Sequence, residues 1–320
     1  MYAHTRLKVF VALIAMAPLT GCLIGRSRPV APRLLTTATL QEATLEQLTA
    51  IINSGAAGVQ TLNASVEIDV STGGAKKGKV TDYREVSGYV LVRKPEMLRM
   101  FGLVPVVRNR LFDMVSNGQT FEVSVPTLSK FYVGSNQKTG PPSPQVLENL
   151  RPQQIFDALL LRPIDPENER AVMEQGSETV RDPKTHKEAY APNYIVLVIR
   201  KDPSGNGWYL SRKIVFSRVD LMPHEQYLYN HEGQLATFTR YEDFANYNGT
   251  LFPSRIDIQR PIEEYAITLT VTKLRLNEPL ADDTFVLTQP PGSKLVNLDQ
   301  RTANAGSQPD HQEQQSRFEQ

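Results

Sequence analysis

The chain holds one cysteine, Cys22, so the chemistry open to its thiol is narrow. A lone cysteine forms no intramolecular disulfide, no multi-cysteine zinc site and no Cys-x-x-Cys redox pair. It follows Arg6, Lys8, the apolar run Val9-Phe10-Val11-Ala12-Leu13-Ile14-Ala15-Met16-Ala17 and then Pro18-Leu19-Thr20-Gly21. A basic start, an apolar middle and small residues before a cut make a secretory signal. The run is shorter than the ~20 residues an ordinary membrane span needs. The alternative for these residues is a buried amino-terminal helix, with Cys22 as a small core residue. Against it, residues 25–33 are polar and rich in Arg and Pro, which is poor core material.

No other constellation carries chemistry. The sequence holds no GxSxG, no HExxH, no phosphate-cradling glycine loop and no GxGxxG. His186, His224 and His231 fall in segments that read as loops or turns, where solvated histidine is expected and a zinc site is not. Glu263-Glu264 and Asp282-Asp283 are adjacent carboxylates, which on a strand point to opposite faces and so read as turn residues. With 35 Lys+Arg against 34 Asp+Glu the formal charge is +1, which gives no field to attract nucleic acid. The expectation is a protein that is not an enzyme and needs no cofactor and no metal.

What remains is the scaffold. Leu40, Ala43, Leu45, Leu48, Ile51 and Ile52 recur at helical spacing, with Thr39 as a cap and Gly55 as a stop. From Leu62 the period becomes two, and strands are expected at 62–70, 83–94, 97–101, 110–116, 120–125 and 130–133. Asn117-Gly118 forms one of the turns. A proline-rich break, Pro141-Pro142-Ser143-Pro144, leads to a second helical segment with Ile155, Phe156, Leu159 and Leu160, interrupted by Pro152. Residues 164–190 resist assignment apart from a short strand near 171–174. Strands resume at 194–200, 207–218, 226–229, 235–244, 252–259 and 265–276, and the polar residues after 295 read as a disordered tail. The fold class is mainly β (α+β): one large curved antiparallel sheet covered by two or three helices.

Several strands present one wholly apolar face: Phe121, Val123, Val125; Ile267, Leu269, Val271; and Trp208, Leu210, Ile214, Phe216, the last set interrupted by Arg212. In a curved sheet these faces point inward. The helices over them either fill the concavity as a core or act as a lid on a cavity, and periodicity does not separate the two.

Two stretches resemble known families. Leu19-Thr20-Gly21-Cys22 resembles a bacterial lipobox, in which the cysteine is acylated and becomes the first residue after cleavage; Leu23, rather than Asp, at the next position leans toward the outer membrane. Several acyl chains on one residue make a lasting tether. Separately, residues 88–100, ending in Arg93-Lys94-Pro95-Glu96-Met97-Leu98-Arg99-Met100, resemble the lipoprotein-localisation proteins LolA and LolB. So do Leu111-Phe112-Asp113-Met114-Val115-Ser116-Asn117-Gly118-Gln119-Thr120-Phe121 with Val125-Pro126, and Phe252-Pro253-Ser254-Arg255-Ile256 with Asp282-Asp283-Thr284-Phe285. The resemblance covers roughly residues 40–295.

It implies an incomplete antiparallel β-barrel with a helical lid over a concavity that receives acyl chains of a lipid or lipoprotein. Leu98, Met100, Phe112, Met114, Phe121, Val123, Val125, Trp208, Leu210, Ile214, Phe216, Ile267, Leu269 and Val271 would line it. Leu45, Leu48, Ile52, Ile155 and Leu159 would belong to the lid. Where LolA has a lid-latching arginine before the strand-ending proline, this chain has Lys94, which lacks a planar bidentate fork. Leu103 and Val104, in the apolar run 101–107, stand where LolB carries a loop that meets the membrane; a continued strand or a packed corner is the alternative. The implied organisation is a signal peptide at 1–21, a lipidated spacer at 22–38, one domain at 39–295 and a polar tail at 296–320. Expected partners are the membrane, through the amino-terminal lipid, acyl chains of lipid or lipoprotein cargo, and an envelope protein. The expected location is the periplasmic face of the outer membrane. A structural or interaction lipoprotein with the same fold and a filled core is the second expectation.

Overall fold

The computed structural model describes residues 39–74, 78–137, 148–149, 151–181, 186, 188–205 and 207–300. The signal stretch, Cys22 and the spacer lie outside them, as does the tail beyond 300. Among the described residues two α-helices, α1 (Leu45–Gly58) and α2 (Pro152–Leu159), lie with a single sheet. Its first arm is β1 (Thr61–Gly74), β2 (Lys79–Asp82), β3 (Val86–Arg93), β4 (Met97–Leu103), β5 (Arg110–Ser116), β6 (Thr120–Val125) and β7 (Lys130–Ser135). Its second is β8 (Glu169–Arg181), β9 (Glu188–Lys201), β10 (Trp208–Ser217), β11 (Pro223–Tyr229), β12 (Leu235–Tyr247), β13 (Thr250–Arg260) and β14 (Tyr265–Leu276), with β15 (Lys294–Asn297) closing the chain.

The order β15-β7-β6-β5-β4-β3-β1-β14-β13-β12-β11-β10-β9-β8 places β1 at the centre, where it pairs with β3 on one side and β14 on the other. β2 pairs with the end of β1. All pairings are antiparallel except β15 with β7. Among the described residues the path ends at β15 and β8, so the sheet is large, open and curved and does not close into a barrel.

Local chemistry accounts for the elements. β1 buries every second residue from Leu62 to Ile68, as alternation demands. The β5–β6 hairpin turns at Asn117-Gly118: Asn117 Oδ1 accepts the N–H of Gln119 and of Thr120, and Gly118 takes φ 88. α1 opens with a reciprocal capping box between Thr44 and Gln47. Pro152, expected to interrupt a helix, instead begins α2, where its missing N–H has no intrahelical acceptor to lose.

Two apolar clusters form on the concave face. The larger joins β1, β3–β7 and β12–β14 to α2 through Val66, Val92, Leu98, Val123, Ile256, Leu269, Ile155 and Phe156, among others. The smaller joins α1 to β9 and β10 through Leu48, Ile52, Tyr194, Val196, Val198, Ile214 and Phe216.

Three expectations need correction. Residues 164–190 contain β8 and the start of β9, rather than a short strand at 171–174; β8 is a charged edge strand whose outward residues blur alternation. The fold also runs past residue 295, because β15 adds to β7 and Leu298 is buried in the larger cluster. Trp208 and Leu210 do not face the concavity. A bulge between Leu210 and Arg212 shifts the register, so Arg212 pairs with Val198 on the inner face while Leu210 pairs with Ile199 on the outer. Trp208 is 45% exposed and Leu210 half-buried, whereas Arg212, the expected interruption of that apolar face, is fully buried.

The bulge divides β10 energetically. Ile214→Ala should destabilise the protein by about 2–5 kcal/mol through an unfilled cavity. Trp208→Ala, on the exposed side, should shift stability by less than about 1 kcal/mol. Urea unfolding of both variants checks this, and equal losses would contradict the assigned faces.

Candidate functional site

The concave face and its two helices form the candidate site. In the larger cluster the sheet contributes Leu98, Met100, Met114, Phe121, Val123, Val125, Ile267, Leu269 and Val271, all buried, and α2 contributes Ile155 and Leu159. Phe112 is half-buried at its edge, its ring over Gly102. In the smaller cluster Ile214 and Phe216 meet Leu48 and Ile52, with Leu45 half-buried beside them. The residues expected for wall and lid thus pack against each other in two separate sets.

Between the sets runs a polar seam that periodicity did not reveal. Tyr241 on β12 donates its hydroxyl to Ala158 O at 2.7 Å, and Gln226 on β11 donates to Asp157 O at 3.0 Å. On β10, Arg212 donates to Arg162 O at 2.7 Å and Pro163 O at 3.3 Å, and pairs with the buried Glu169 carboxylate at 2.7 Å. Three neighbouring strands therefore supply donors to the carboxyl end of α2 and the segment after it. The Asp157 and Ala158 carbonyls are ones that a helix end leaves without intrahelical donors, while Arg162 and Pro163 lie beyond it. The signal in the sequence was Arg212 itself, a charge in an apolar alternation, which an ion pair with an acid elsewhere makes tolerable.

The carboxyl end of α1 is held in the same manner from a different side. Lys94 Nζ donates to Ala56 O, Gln60 Nε2 to Ala57 O at 2.8 Å and Asn277 Nδ2 to Gly58 O at 2.8 Å. Lys94 is the residue at the latch position noted above; its ammonium reaches one carbonyl, and burial pulls its pKa down. Arg93 points elsewhere, to Leu280 O and Asp282. At the other end of α1, Gln41 N–H donates to Arg218 O at 2.7 Å.

The run 101–107 divides in two. Leu103 ends β4 opposite Arg110, and Val104 N–H donates to Asn109 O, so both extend the hairpin and are half-buried. The protruding apolar residues are instead Val106, 98% exposed, and Val107, 63% exposed. Val107 N–H donates to Pro105 O across Val106 at φ 71, a γ-turn that strains a β-branched residue. Arg108 and Arg110 flank the tip.

Among the described residues no group of three His, Cys, Asp or Glu side chains is placed to hold a metal. His224 lies in β11 rather than a loop, 2.9 Å from Asp220. No helix among the described residues is long and apolar enough to cross a membrane.

No family model matches the chain, and no curated protein matches it. Solved structures do. A LolA-superfamily protein of Nitrosomonas europaea is 16% identical, with a TM-score of 0.46 over 77% of this chain and 99% of its own. The domain of an outer-membrane lipoprotein-sorting protein of Vibrio parahaemolyticus is 11% identical, with a TM-score of 0.46 over 74% and 94%. A DUF1329-family protein of Desulfovibrio piger is 14% identical, with a TM-score of 0.47 over 75% and 94%.

Asp157 tests the seam. Burial raises its carboxyl pKa, against the nearby Arg162 and the Gln153 amide. A folded-state value above the ordinary ~3.9 means the native state holds the proton more tightly, so stability falls as pH rises from about 4 through the raised value. Asp157→Asn should remove that slope and leave the protein as stable as the parent or more so at pH 7. Thermal unfolding of both between pH 4 and 8 reads it; an unchanged slope in the variant would rule out Asp157 as its source.

Proposed function

We propose that this chain is a lipid-anchored protein of the bacterial cell envelope that shelters the acyl chains of a lipid or lipoprotein between its sheet and α1, as a carrier or receptor and not as an enzyme. The observation that carries the reading is the attachment of α1. Only Leu48, Ile52 and Ala56 of its 14 residues are buried, and its carboxyl end hangs on three side-chain donors. Moving it exposes the smaller apolar cluster and leaves the larger one intact. An acyl chain that replaces it restores buried apolar area at ~0.8 kcal/mol per methylene, so the exchange is close to balanced. The donors released from Ala56, Ala57 and Gly58 can turn to water.

The anchor supports the same reading. Cys22 lies outside the described residues, and the resemblance to a lipobox makes it the acylated residue, with α1 the first described helix after it. Val106 and Val107 at a strained, arginine-flanked tip have the composition of a surface that meets a bilayer. They take the role first assigned to Leu103 and Val104. The outer membrane, periplasmic side, is the proposed location.

A second reading, an interaction lipoprotein with a permanently filled core, is supported by the packing itself: Leu98, Val198, Ile214, Phe216 and Leu269 have no exposed surface. The two readings part on binding. The Cys22→Ala chain should co-purify with lipid identifiable by mass spectrometry and take up a fluorescent fatty acid. Lys94→Met should tighten that uptake severalfold, since α1 then opens at lower cost. A chain that is empty and binds no fatty acid in either form speaks for the filled core.

The tip is tested apart from the cavity. Cys22→Ala protein should float with liposomes of phosphatidylethanolamine and phosphatidylglycerol, and Val106→Asp with Val107→Asp should abolish flotation without lowering stability. Flotation that survives both changes would assign the membrane contact elsewhere.

A further inference from the structure

The two ends of the sheet differ. β15 is four residues long, whereas β8 runs for 13 with no proline and an unbroken register against β9. Lys201 donates its N–H to Asn168 O at 2.9 Å, so in an antiparallel ladder the even-numbered residues of β8 bond β9 and the odd-numbered ones turn their N–H and C=O to the edge. Two further bonds agree. Glu169 N–H turns away to Asp165 O, and Pro192, opposite Ser177, turns its carbonyl to the N–H of Arg218 on the β10 side. Among the described residues the backbone of 171–179 is bonded on the β9 side alone. Such an edge is a template for another strand unless it is blunted.

The outward face of β8 says what that strand must be. It presents Arg170, Val172, Glu174, Gly176 and Glu178 in alternation. Val172 is 52% exposed, and it adjoins Leu197 and the outer end of β10, where Trp208 stands between Arg170 and Lys201. Glu174 and Glu178 are exposed; neither comes within ion-pair distance of a cation among the described residues, though the charge of Glu178 reaches Arg240. Between Glu174 and Glu178, Gly176 bears no side chain, and the space a Cβ would take is filled by Ile195 and the Asn193 amide.

We propose that β8 takes up an extended segment of another protein, added as a further strand, with basic residues at the positions facing Glu174 and Glu178 and apolar residues at those facing Val172 and Gly176. Main-chain bonds from Ala171, Met173, Gln175, Ser177 and Thr179 supply affinity, and the alternate side chains supply selection. A second copy of this chain fits less well. The two-fold register that sets Arg170 opposite Glu178 puts Glu174 against its own copy. The proposal stands whether or not the concave face binds acyl chains.

The test uses the full lipidated chain in detergent and a fluorescein-labelled octapeptide with lysine, valine, lysine and valine at alternate positions and threonine between. A control peptide has glutamate for lysine. Anisotropy should show saturable binding of the lysine peptide and weaker binding of the control. Ser177→Pro removes an edge-facing N–H while leaving the β9 ladder in place, and should abolish binding with the melting temperature unchanged. Should that variant lose stability, Glu174→Lys with Glu178→Lys decides: it should weaken the lysine peptide about tenfold or more and reverse the preference. Absence of saturable binding, equal binding of both peptides, or binding indifferent to both sets of changes overturns the proposal. So does a dimer in sedimentation that Ser177→Pro dissolves, which would give the edge to a second copy.

Discussion

Buried helix ends set the terms for this structure. A helix laid on an apolar sheet brings its last carbonyls into a region without water, and each one left bare costs about 1–3 kcal/mol. The concave face therefore cannot be apolar throughout. At α2 and just beyond it the donors are the buried Gln226, Tyr241 and Arg212; the end of α1, where Ala57 and Gly58 are exposed, is met by Lys94, Gln60 and Asn277. Placing Arg212 inside demands a counter-charge, and Glu169 supplies it from the first residue of β8. The requirement to satisfy α2 thus fixes a polar seam across β10–β12, and the seam in turn fixes where the edge strand begins.

The same requirement makes the two helices unequal. The bonds that hold α2 come from residues with almost no exposed surface, and burial, helped by the Asp157 carboxylate nearby, raises the pKa of the Tyr241 hydroxyl that donates to Ala158 O. Breaking them would strand a buried guanidinium and a carboxylate, at about 3–5 kcal/mol or more. The bonds at α1 come from half-exposed side chains that water can satisfy. Movement, if the concavity opens, belongs to α1 and to the smaller cluster beneath it, while α2 and the larger cluster stay as the frame.

Much of the scaffold was legible because alternation is strong where one face is buried and the other wet. The strands at 110–116, 120–125 and 265–276 fall at the boundaries expected, and Asn117-Gly118 turns as its composition requires. What escaped was set by partners distant in sequence. A one-residue bulge inverted Trp208 and Leu210, and nothing local marks it. Arg212 reads as an interruption until Glu169, 43 positions away, is placed beside it. β8 carries charges on an outward face that no layer covers among the described residues, so its period is blurred, and β15 is defined by its neighbour β7 more than by its own residues. In the loop after β4 the apolar run was visible, but whether Leu103 or Val106 stands at its tip depends on where the hairpin stops pairing.

Strand direction links the anchor to the tip. Following the antiparallel pairings from β10 to β4, Trp208 and the β4–β5 tip lie at one end of the sheet. Arg218, which holds Gln41, lies at the other. The described chain therefore enters at the end opposite Val106 and Val107. β1, the longest central strand, has 14 residues, which at ~3.3 Å each amounts to about 46 Å. The 17 residues of 22–38 can span at most about 60 Å when extended. With Cys22 acylated as proposed, its lipid and a tip at Val106 could reach one bilayer together, but only with most of that reach used. On the proposed reading such a body would be held close to the membrane, tip first, with little freedom to turn over. In that arrangement its β8 edge, running along the strand direction between the two ends, would stand roughly upright on the bilayer, where a segment of a neighbouring protein could lie along it.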